Sequence, residues 1–190
     1  MAQQTLLQAS IGTQSMLTKL LAVLGGSAVI ALGAQVSVPM LPVPMTLQTL
    51  AVLMVGLTAG SRLGAAAVVT YLAEGAMGLP VFSAGGAGAA YLAGPTGGFL
   101  IGFVAMAYAA GLLAERGVAR GFFGTALGVA AISALLYVPG LLWLTAVTPL
   151  DLGGAVSRGM LPFLAGDLVK SVVAALIVTG AWTALRARRR

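Results

Sequence analysis

Long apolar runs make up most of the chain, and short breaks rich in Gly, Pro or polar residues separate them. About 20 apolar residues are enough to cross a bilayer as a helix, and a helix satisfies its own backbone groups there. The pattern therefore predicts an all-α integral membrane protein with six transmembrane helices. These helices are expected at residues 16–36, 46–59, 63–78, 96–113, 121–142 and 160–185. At ~1.5 Å per residue, the second reaches only about 21 Å and should tilt little.

The composition supports the same class of protein. Hydrophobic residues make up 59% of the 190 residues and charged residues only 7%, whereas soluble domains carry about 25% charged residues. We divide the chain into a polar N-terminal segment (1–15), a membrane domain (16–186) and a basic tail (187–190). The N-terminal segment is expected to be either a short interfacial helix or irregular, and no separate soluble domain is expected.

The net charge of +6 does not predict nucleic-acid binding, because the basic residues are scattered except at the end of the chain. There, Arg186, Arg188, Arg189 and Arg190 directly follow the last apolar run. Basic residues in that position are typical of contact with anionic membrane lipid at the cytoplasmic surface.

The other basic residues predict the orientation in the membrane. Six spans put both termini on the same side, and Arg62, Arg116 and Arg120 fall on that side, with Lys19 at its boundary. Because Lys and Arg collect in cytoplasmic loops, both termini are expected to be cytoplasmic. The connections at 37–45 and 79–95 then face outward together.

These two outward connections are apolar, unlike ordinary solvated loops. The first contains Pro39, Pro42 and Pro44, which forbid a continuous helix. The second, LPVFSAGGAGAAYLAGP (79–95), is rich in Gly, which allows the backbone to approach a ligand closely. We expect both to be ordered lids. The segment 94–98 lacks the Gly-Lys-Ser/Thr ending of a phosphate-binding loop, so nucleotide binding is not predicted.

The principal candidate site is a pair of opposite charges in the last apolar run. Asp167 and Lys170 are three residues apart and therefore share one face of a helix. Helical rise places them about 10 Å and 15 Å below the outer surface. Since charges in hydrocarbon turn toward the interior or a wet cavity, the pair predicts a ligand site. A structural ion pair between helices is the alternative.

Other polar and aromatic candidates lie in the same outer half. Glu74 is about 6 Å below the outer surface, where simple contact with water is the alternative, and Gln48 stands at the start of the second run. Tyr71 is a predicted aromatic wall, for which packing is the alternative. The candidates from the second connection are Phe82, Ser83, Gly85, Gly86 and Tyr91.

Several kinds of chemistry are excluded by composition. The chain has no Cys and no His, so disulfides, thiolate nucleophiles and haem or zinc sites built on these ligands are excluded. Asp167 is the only Asp within a predicted span, and an intramembrane aspartyl protease needs two. We predict no enzymatic activity, no metal and no cofactor. Binding and transport of a small, partly polar solute fits best.

A partner interface is predicted on the first helix. Ala22 and Gly26 are four residues apart, and small residues with this spacing let a neighbouring helix approach closely. Packing within the chain is the alternative, and the sequence leaves a homo-oligomer open.

Four segments together resemble the BioY family, the biotin-binding S components of energy-coupling factor (ECF) vitamin transporters. They are VPMLPVPMTLQTLAVLMVGLTAGSRLG (38–64), GLPVFSAGG (78–86), LAGPTGGFLIGF (92–103) and GDLVK (166–170). The resemblance covers residues 17–185 in order and spacing. It implies a six-helix S-component fold in the bacterial cytoplasmic membrane, with biotin held near the outer face.

The resemblance also implies roles for particular residues and partners. Asp167 and Lys170 correspond to polar ligand contacts, and the two connections correspond to lids. Some members have an Asn near the third-loop region; this chain has no Asn, so that contact is either replaced by Ser83 or Glu74 or absent. A membrane-embedded T component and two ATPases are implied as partners. The alternative is a secondary carrier that works without ATPases, by facilitation or by ion coupling through Glu74 or Asp167.

Overall fold

The computed structural model describes residues 4–11 and 15–188. Within them the chain is mostly helical, with one antiparallel ribbon that pairs β1 (Ser37–Val38) with β2 (Met45–Thr46). The helices are α1 Leu6–Ile11, α2 Met16–Gln35, α3 Gln48–Ala59, α4 Ser61–Ala76, α5 Ala89–Ala93, α6 Gly97–Glu115, α7 Phe122–Val147, α8 Leu152–Gly159 and α9 Leu164–Arg188. Short 3-10 turns cover Ser83–Gly85, Val118–Arg120 and Leu161–Phe163.

A helix lies in each of the six predicted apolar runs. Four helical segments of the described chain are long and apolar enough to cross a membrane: Met16–Gln35, Gly97–Glu115, Phe122–Val147 and Leu152–Ala187. The other two are shorter, since α3 has 12 residues and α4 has 16. They therefore rise only about 18 Å and 24 Å.

Several helix boundaries differ from the predicted ones. Helix α3 begins at Gln48 rather than at position 46, because Met45 and Thr46 form the second strand of the ribbon. Helix α7 continues to Val147, beyond the predicted end at 142. Helix α9 begins at Leu164, after a 3-10 turn that contains Pro162.

The segment between the fifth and sixth predicted spans contains a helix that was not predicted. Residues Leu152–Gly159 form helix α8, and the Asp151 carboxylate accepts a 2.8 Å hydrogen bond from the backbone N–H of Gly154. This bond satisfies one of the free N–H groups at the helix start. The glycines of the segment have low helix propensity, so capping and packing rather than composition produce this helix.

The two ends of the chain are only partly described. In the polar N-terminal segment, α1 packs against α3 and α9 with Leu6 and Ala9 buried. Residues 1–3 and 12–14 lie outside the described residues. At the other end α9 reaches Arg188, and residues 189 and 190 of the basic tail also lie outside the described residues.

Glycines bring the central helices into direct backbone contact. Helix α6 is the most buried of the four long segments and packs against α3, α4 and α7. A Cβ atom on Gly56 would lie 2.4 Å from the backbone oxygen of Ala107, and one on Gly111 would lie 2.1 Å from the backbone nitrogen of Ser61. Any side chain at these positions would push the helices apart.

A carboxylate joins the turn between α3 and α4 to the end of α6. Glu115 accepts hydrogen bonds of 2.7 Å from the backbone N–H of Ser61 and 2.8 Å from its hydroxyl. The N–H belongs to the first turn of α4, where helix donors lack internal partners and negative charge is favourable. This contact stabilises the end of the bundle opposite the two loops.

Gly26, one of the two residues of the predicted partner interface, packs closely within the chain. Gly26 is buried, and a Cβ atom there would lie 2.8 Å from the Cβ of Ala67 and 3.0 Å from Val55. Its small size therefore serves packing of α2 against α3 and α4, which was the alternative. Ala22 remains half-buried, and the adjacent Gly25 is exposed, with open space around it.

Candidate functional site

A cavity of about 560 Å³, including the part open to solvent, lies at the end of the bundle where the two loops meet. The first loop contributes Val43 and Pro44, and the second contributes Ser83 and Tyr91. The remaining wall residues are Thr46, Gln48, Thr49, Thr96, Phe99, Leu100, Phe103, Leu136, Tyr137, Gly159, Phe163, Asp167 and Lys170. The wall therefore combines apolar side chains with several polar groups.

Asp167 and Lys170 are both buried in the cavity wall, each 8% exposed. The Lys170 Nζ lies 3.2 Å from the Asp167 Oδ1 atom. Both residues stand near the start of α9, where the positive end of the helix dipole favours a carboxylate. The predicted pair is thus brought together with its polar ends facing one cavity.

Two other helices supply donors to the same carboxylate. Tyr137 of α7 donates a 2.5 Å hydrogen bond to Oδ2 of Asp167, and Thr49 of α3 donates at 3.5 Å to Oδ1. Tyr137 also packs edge-on against Phe99, with ring centroids 6.3 Å apart. These contacts hold the carboxylate in one orientation, and the sequence analysis did not predict them.

The charged pair retains capacity for a ligand. An ammonium group has three donors, and within the described residues Lys170 uses one, toward Asp167. A carboxylate accepts at about four positions, so Asp167 can still accept from a ligand N–H. The pair can therefore recognise a neutral group that has both a donor and an acceptor.

Gln48 also lines the cavity, but its amide group is already partnered. Its Nε2 donates a 2.7 Å hydrogen bond to the Tyr71 hydroxyl, and its Oε1 accepts one of 3.3 Å from Thr46. Tyr71 is fully buried and is not among the cavity-lining residues. It therefore positions Gln48 instead of forming the predicted aromatic wall.

The second loop presents the hydroxyl of Ser83 to the cavity. Ser83 is 6% exposed, and its Oγ has no hydrogen-bond partner among the described residues. A buried hydroxyl without a partner is unfavourable, so this atom is available to a ligand. Burial raises the pKa of the nearby Tyr91 hydroxyl, although a hydrogen bond with Thr96 opposes the shift. Tyr91 is thus a neutral wall residue.

Three of the predicted loop residues support the wall from behind. Phe82 is fully buried between Tyr91, stacked at 4.9 Å, and Tyr71, edge-on at 5.5 Å. A Cβ on Gly86 would lie 2.4 Å from the Tyr91 ring, and Gly85 has a positive φ of 72°. None of Phe82, Gly85 and Gly86 lines the cavity.

Glu74 is not placed in the cavity either. Its carboxylate accepts a hydrogen bond from the hydroxyl of Ser27, which is fully buried on α2. The contact joins α4 to α2 and lies outside the cavity lining. Of the two residues considered as replacements for the missing Asn, only Ser83 faces the cavity.

Several residues of the site were not predicted from the sequence. Tyr137 could have been chosen as a candidate, because it is a polar aromatic residue inside an apolar run. Trp143 of α7 also contacts the second loop, because its indole N–H donates a 2.9 Å hydrogen bond to the backbone oxygen of Gly94. No pattern in the sequence indicates which residues these side chains contact.

Comparison with known proteins agrees with this architecture. A model of the BioY family matches residues 3–187. The chain belongs to the BioY family. This confirms the resemblance found in the sequence. The biotin transporter BioY of Thermotoga maritima is 44% identical over 80% of this chain and 88% of its own length. That of Rhizobium etli is 40% identical over 78% of this chain and 84% of its own.

Comparison with a solved structure shows that the similarity extends over the whole fold. The S-component for biotin from an ECF-type ABC transporter superposes with a TM-score of 0.78. It is 26% identical and covers 94% of this chain and 96% of its own. The predicted S-component fold is therefore confirmed at the level of overall architecture, and the relatives are named as transporters, not enzymes.

Proposed function

We propose that this chain binds biotin at the outer face of the bacterial cytoplasmic membrane and serves as the substrate-binding S component of an ECF-type transporter. The observation that supports this most directly is the buried Asp167–Lys170 pair. It is oriented by Tyr137 in a cavity walled by two loops, in a chain whose named relatives are biotin transporters.

The chemistry of the cavity suits biotin. Its ureido ring offers two N–H donors and a carbonyl acceptor, which a carboxylate and an ammonium group can satisfy together. Phe99, Phe103 and Leu136 provide apolar walls for the thioether ring and alkyl tail. The free hydroxyl of Ser83 is the group that we assign to the contact made by Asn in some family members.

The proposed topology has six membrane spans with both termini in the cytoplasm. In this topology α3 and α4 are two short spans in addition to the four long ones. The exposed Arg62, Arg116 and Arg186 support this, because they lie toward the end of the bundle opposite the two loops. Single cysteines introduced into this Cys-free chain test it. Leu41→Cys should react with an impermeant reagent added outside the cell, and Arg116→Cys should react only from inside.

We further propose that a T component and two ATPases supply the energy. A crevice beside α2 is lined by Ala22, Gly25 and Val29, and its small residues suit close approach of a partner helix. The sequence contains no phosphate-binding loop. A carrier without an energy input can only equilibrate its ligand across the membrane.

Two measurements test the proposal. Purified chain should bind labelled biotin at equilibrium, and absence of binding by folded protein would contradict the assignment of the ligand. Cells that express the chain should accumulate biotin only together with the T component and ATPases. Concentrative uptake by the purified chain alone in liposomes, without nucleotide, would favour an ion-coupled carrier instead.

A further inference from the structure

Gln35, the last residue of α2, stands between the two loops that wall the cavity. The first loop begins with β1 at Ser37, two residues later. The side chain of Gln35 reaches the second loop, 46 to 50 residues further along the chain. Gln35 therefore lies next to the first loop in the chain and forms hydrogen bonds with the second loop.

The Gln35 amide group makes three hydrogen bonds to the second loop. Its Nε2 donates to the backbone oxygens of Phe82 at 3.1 Å and Val81 at 3.3 Å, and its Oε1 accepts from the backbone N–H of Gly85 at 3.2 Å. These bonds flank Ser83, the loop residue with a free hydroxyl toward the cavity. Gln35 itself is exposed and does not line the cavity.

The turn that Gln35 contacts has an unfavourable backbone conformation. Ala84 adopts φ 55° and ψ 33°, a left-handed conformation that is uncommon for residues other than Gly. Such a turn persists only when surrounding contacts hold it. The Gln35 amide supplies such contacts on both sides of Ala84, so it stabilises the conformation that points Ser83 inward.

We propose that Gln35 is a positioning residue that latches the second loop over the bound ligand. This rests on the proposed function of the cavity. The first loop contributes Val43 and Pro44 to the cavity wall and the second contributes Ser83 and Tyr91, and ligand exchange through such walls commonly occurs by loop opening. Hydrogen bonds of an exposed amide are individually weak, which suits a contact that breaks at each exchange.

The test compares Gln35→Ala, which removes all three bonds, with Gln35→Glu, which has nearly the same shape. The Glu variant keeps an acceptor for Gly85 but places an oxygen against two backbone carbonyls. Leu32→Ala is the control, since Leu32 is exposed one turn earlier on the same helix. All three substitutions are at exposed positions, and a cooperative thermal unfolding transition without ligand should show that each variant folds.

The first readout is the position of the second loop in ligand-free protein. Spin labels at Ala87→Cys on the loop and Leu168→Cys on α9 report the distance between the loop and the helix that holds Asp167. Both Gln35 variants should broaden this distribution and add longer distances, while Leu32→Ala leaves it unchanged. A distribution in both Gln35 variants that superposes on the parent's would overturn the latch.

The second readout is the rate of dissociation of labelled biotin. Loss of the latch should speed dissociation about threefold to tenfold, the scale of a modest hydrogen-bond contribution, while leaving the association rate no slower. Unchanged dissociation would also overturn the proposal. If the parent protein binds no biotin, the proposed function fails, and the spin-label distances alone decide the latch.

Discussion

The hydroxyl of Tyr137 on α7 donates a 2.5 Å hydrogen bond to the carboxylate of Asp167 on α9. Both residues are buried, and the bond occupies the carboxylate oxygen that Lys170 does not contact. A buried carboxylate with donors on both oxygens is held in one orientation. Tyr137 therefore belongs to the site although its role is to orient another side chain.

Removing this hydroxyl should weaken both folding and ligand binding. Tyr137→Phe keeps the ring that packs against Phe99 but leaves Oδ2 of Asp167 without its donor. We expect the free energy of unfolding to fall by about 1.5–3 kcal/mol, the scale for hydrogen bonds to charged groups, and biotin affinity to fall with it. Tyr108→Phe is a matched control, because Tyr108 is exposed on α6. Equal affinity in both variants would show that the Tyr137 hydroxyl is unnecessary.

The two charges of the pair should behave differently when changed singly and together. Lys170→Met leaves Asp167 charged and buried without its cation, which typically costs about 3–5 kcal/mol of stability. Combining it with Asp167→Asn removes both charges and should restore most of the stability, as measured by thermal unfolding. Biotin binding should remain weakened by at least about 1.5–3 kcal/mol in the double variant. Full recovery of affinity would make the pair purely structural.

The free hydroxyl of Ser83 predicts separate effects on stability and binding. Ser83→Ala removes a buried polar atom that has no partner among the described residues, so stability without ligand should stay the same or rise. Biotin affinity should fall by about 0.5–1.5 kcal/mol, the usual net contribution of a hydrogen bond. Ser157→Ala, an exposed change on α8, should alter neither quantity. Unaltered affinity in Ser83→Ala would remove Ser83 from the ligand contacts.

Neighbouring glycines on α2 can separate partner docking from folding. Gly26→Leu should destabilise the protein, because a Cβ there already meets Ala67 at 2.8 Å. Gly25→Leu points into open space and should leave folding and biotin binding intact. If the crevice beside α2 docks the T component, Gly25→Leu should abolish ATP-dependent uptake.

Gly180→Leu is the control for that experiment. Gly180 is also exposed with open space around it, but lies on α9. Uptake should persist in this variant. Equal uptake in Gly25→Leu and Gly180→Leu would place the partner interface elsewhere.

The amino-acid sequence by itself determined the class of protein and the positions of the main helices. The positions of the apolar runs predict the positions of the helices, because in hydrocarbon the backbone must satisfy its hydrogen bonds within the segment. Sequence also brought Asp167 and Lys170 together, since residues three apart on one helix are neighbours whatever surrounds them. Helix α8 was not predicted, because its glycines have low helix propensity and the helix depends on capping and packing.

Only the tertiary structure decided which side chains meet across helices. The contacts of Tyr137 with Asp167, Ser27 with Glu74, and Gln35 with the second loop join residues 30 to 50 positions apart. Such pairs depend on how helices rotate and cross, which close glycine contacts such as Gly56 against Ala107 govern. Glu74 and Asp167 were both candidate intramembrane carboxylates in the sequence, and the packing of α4 turned Glu74 toward α2 and away from the cavity.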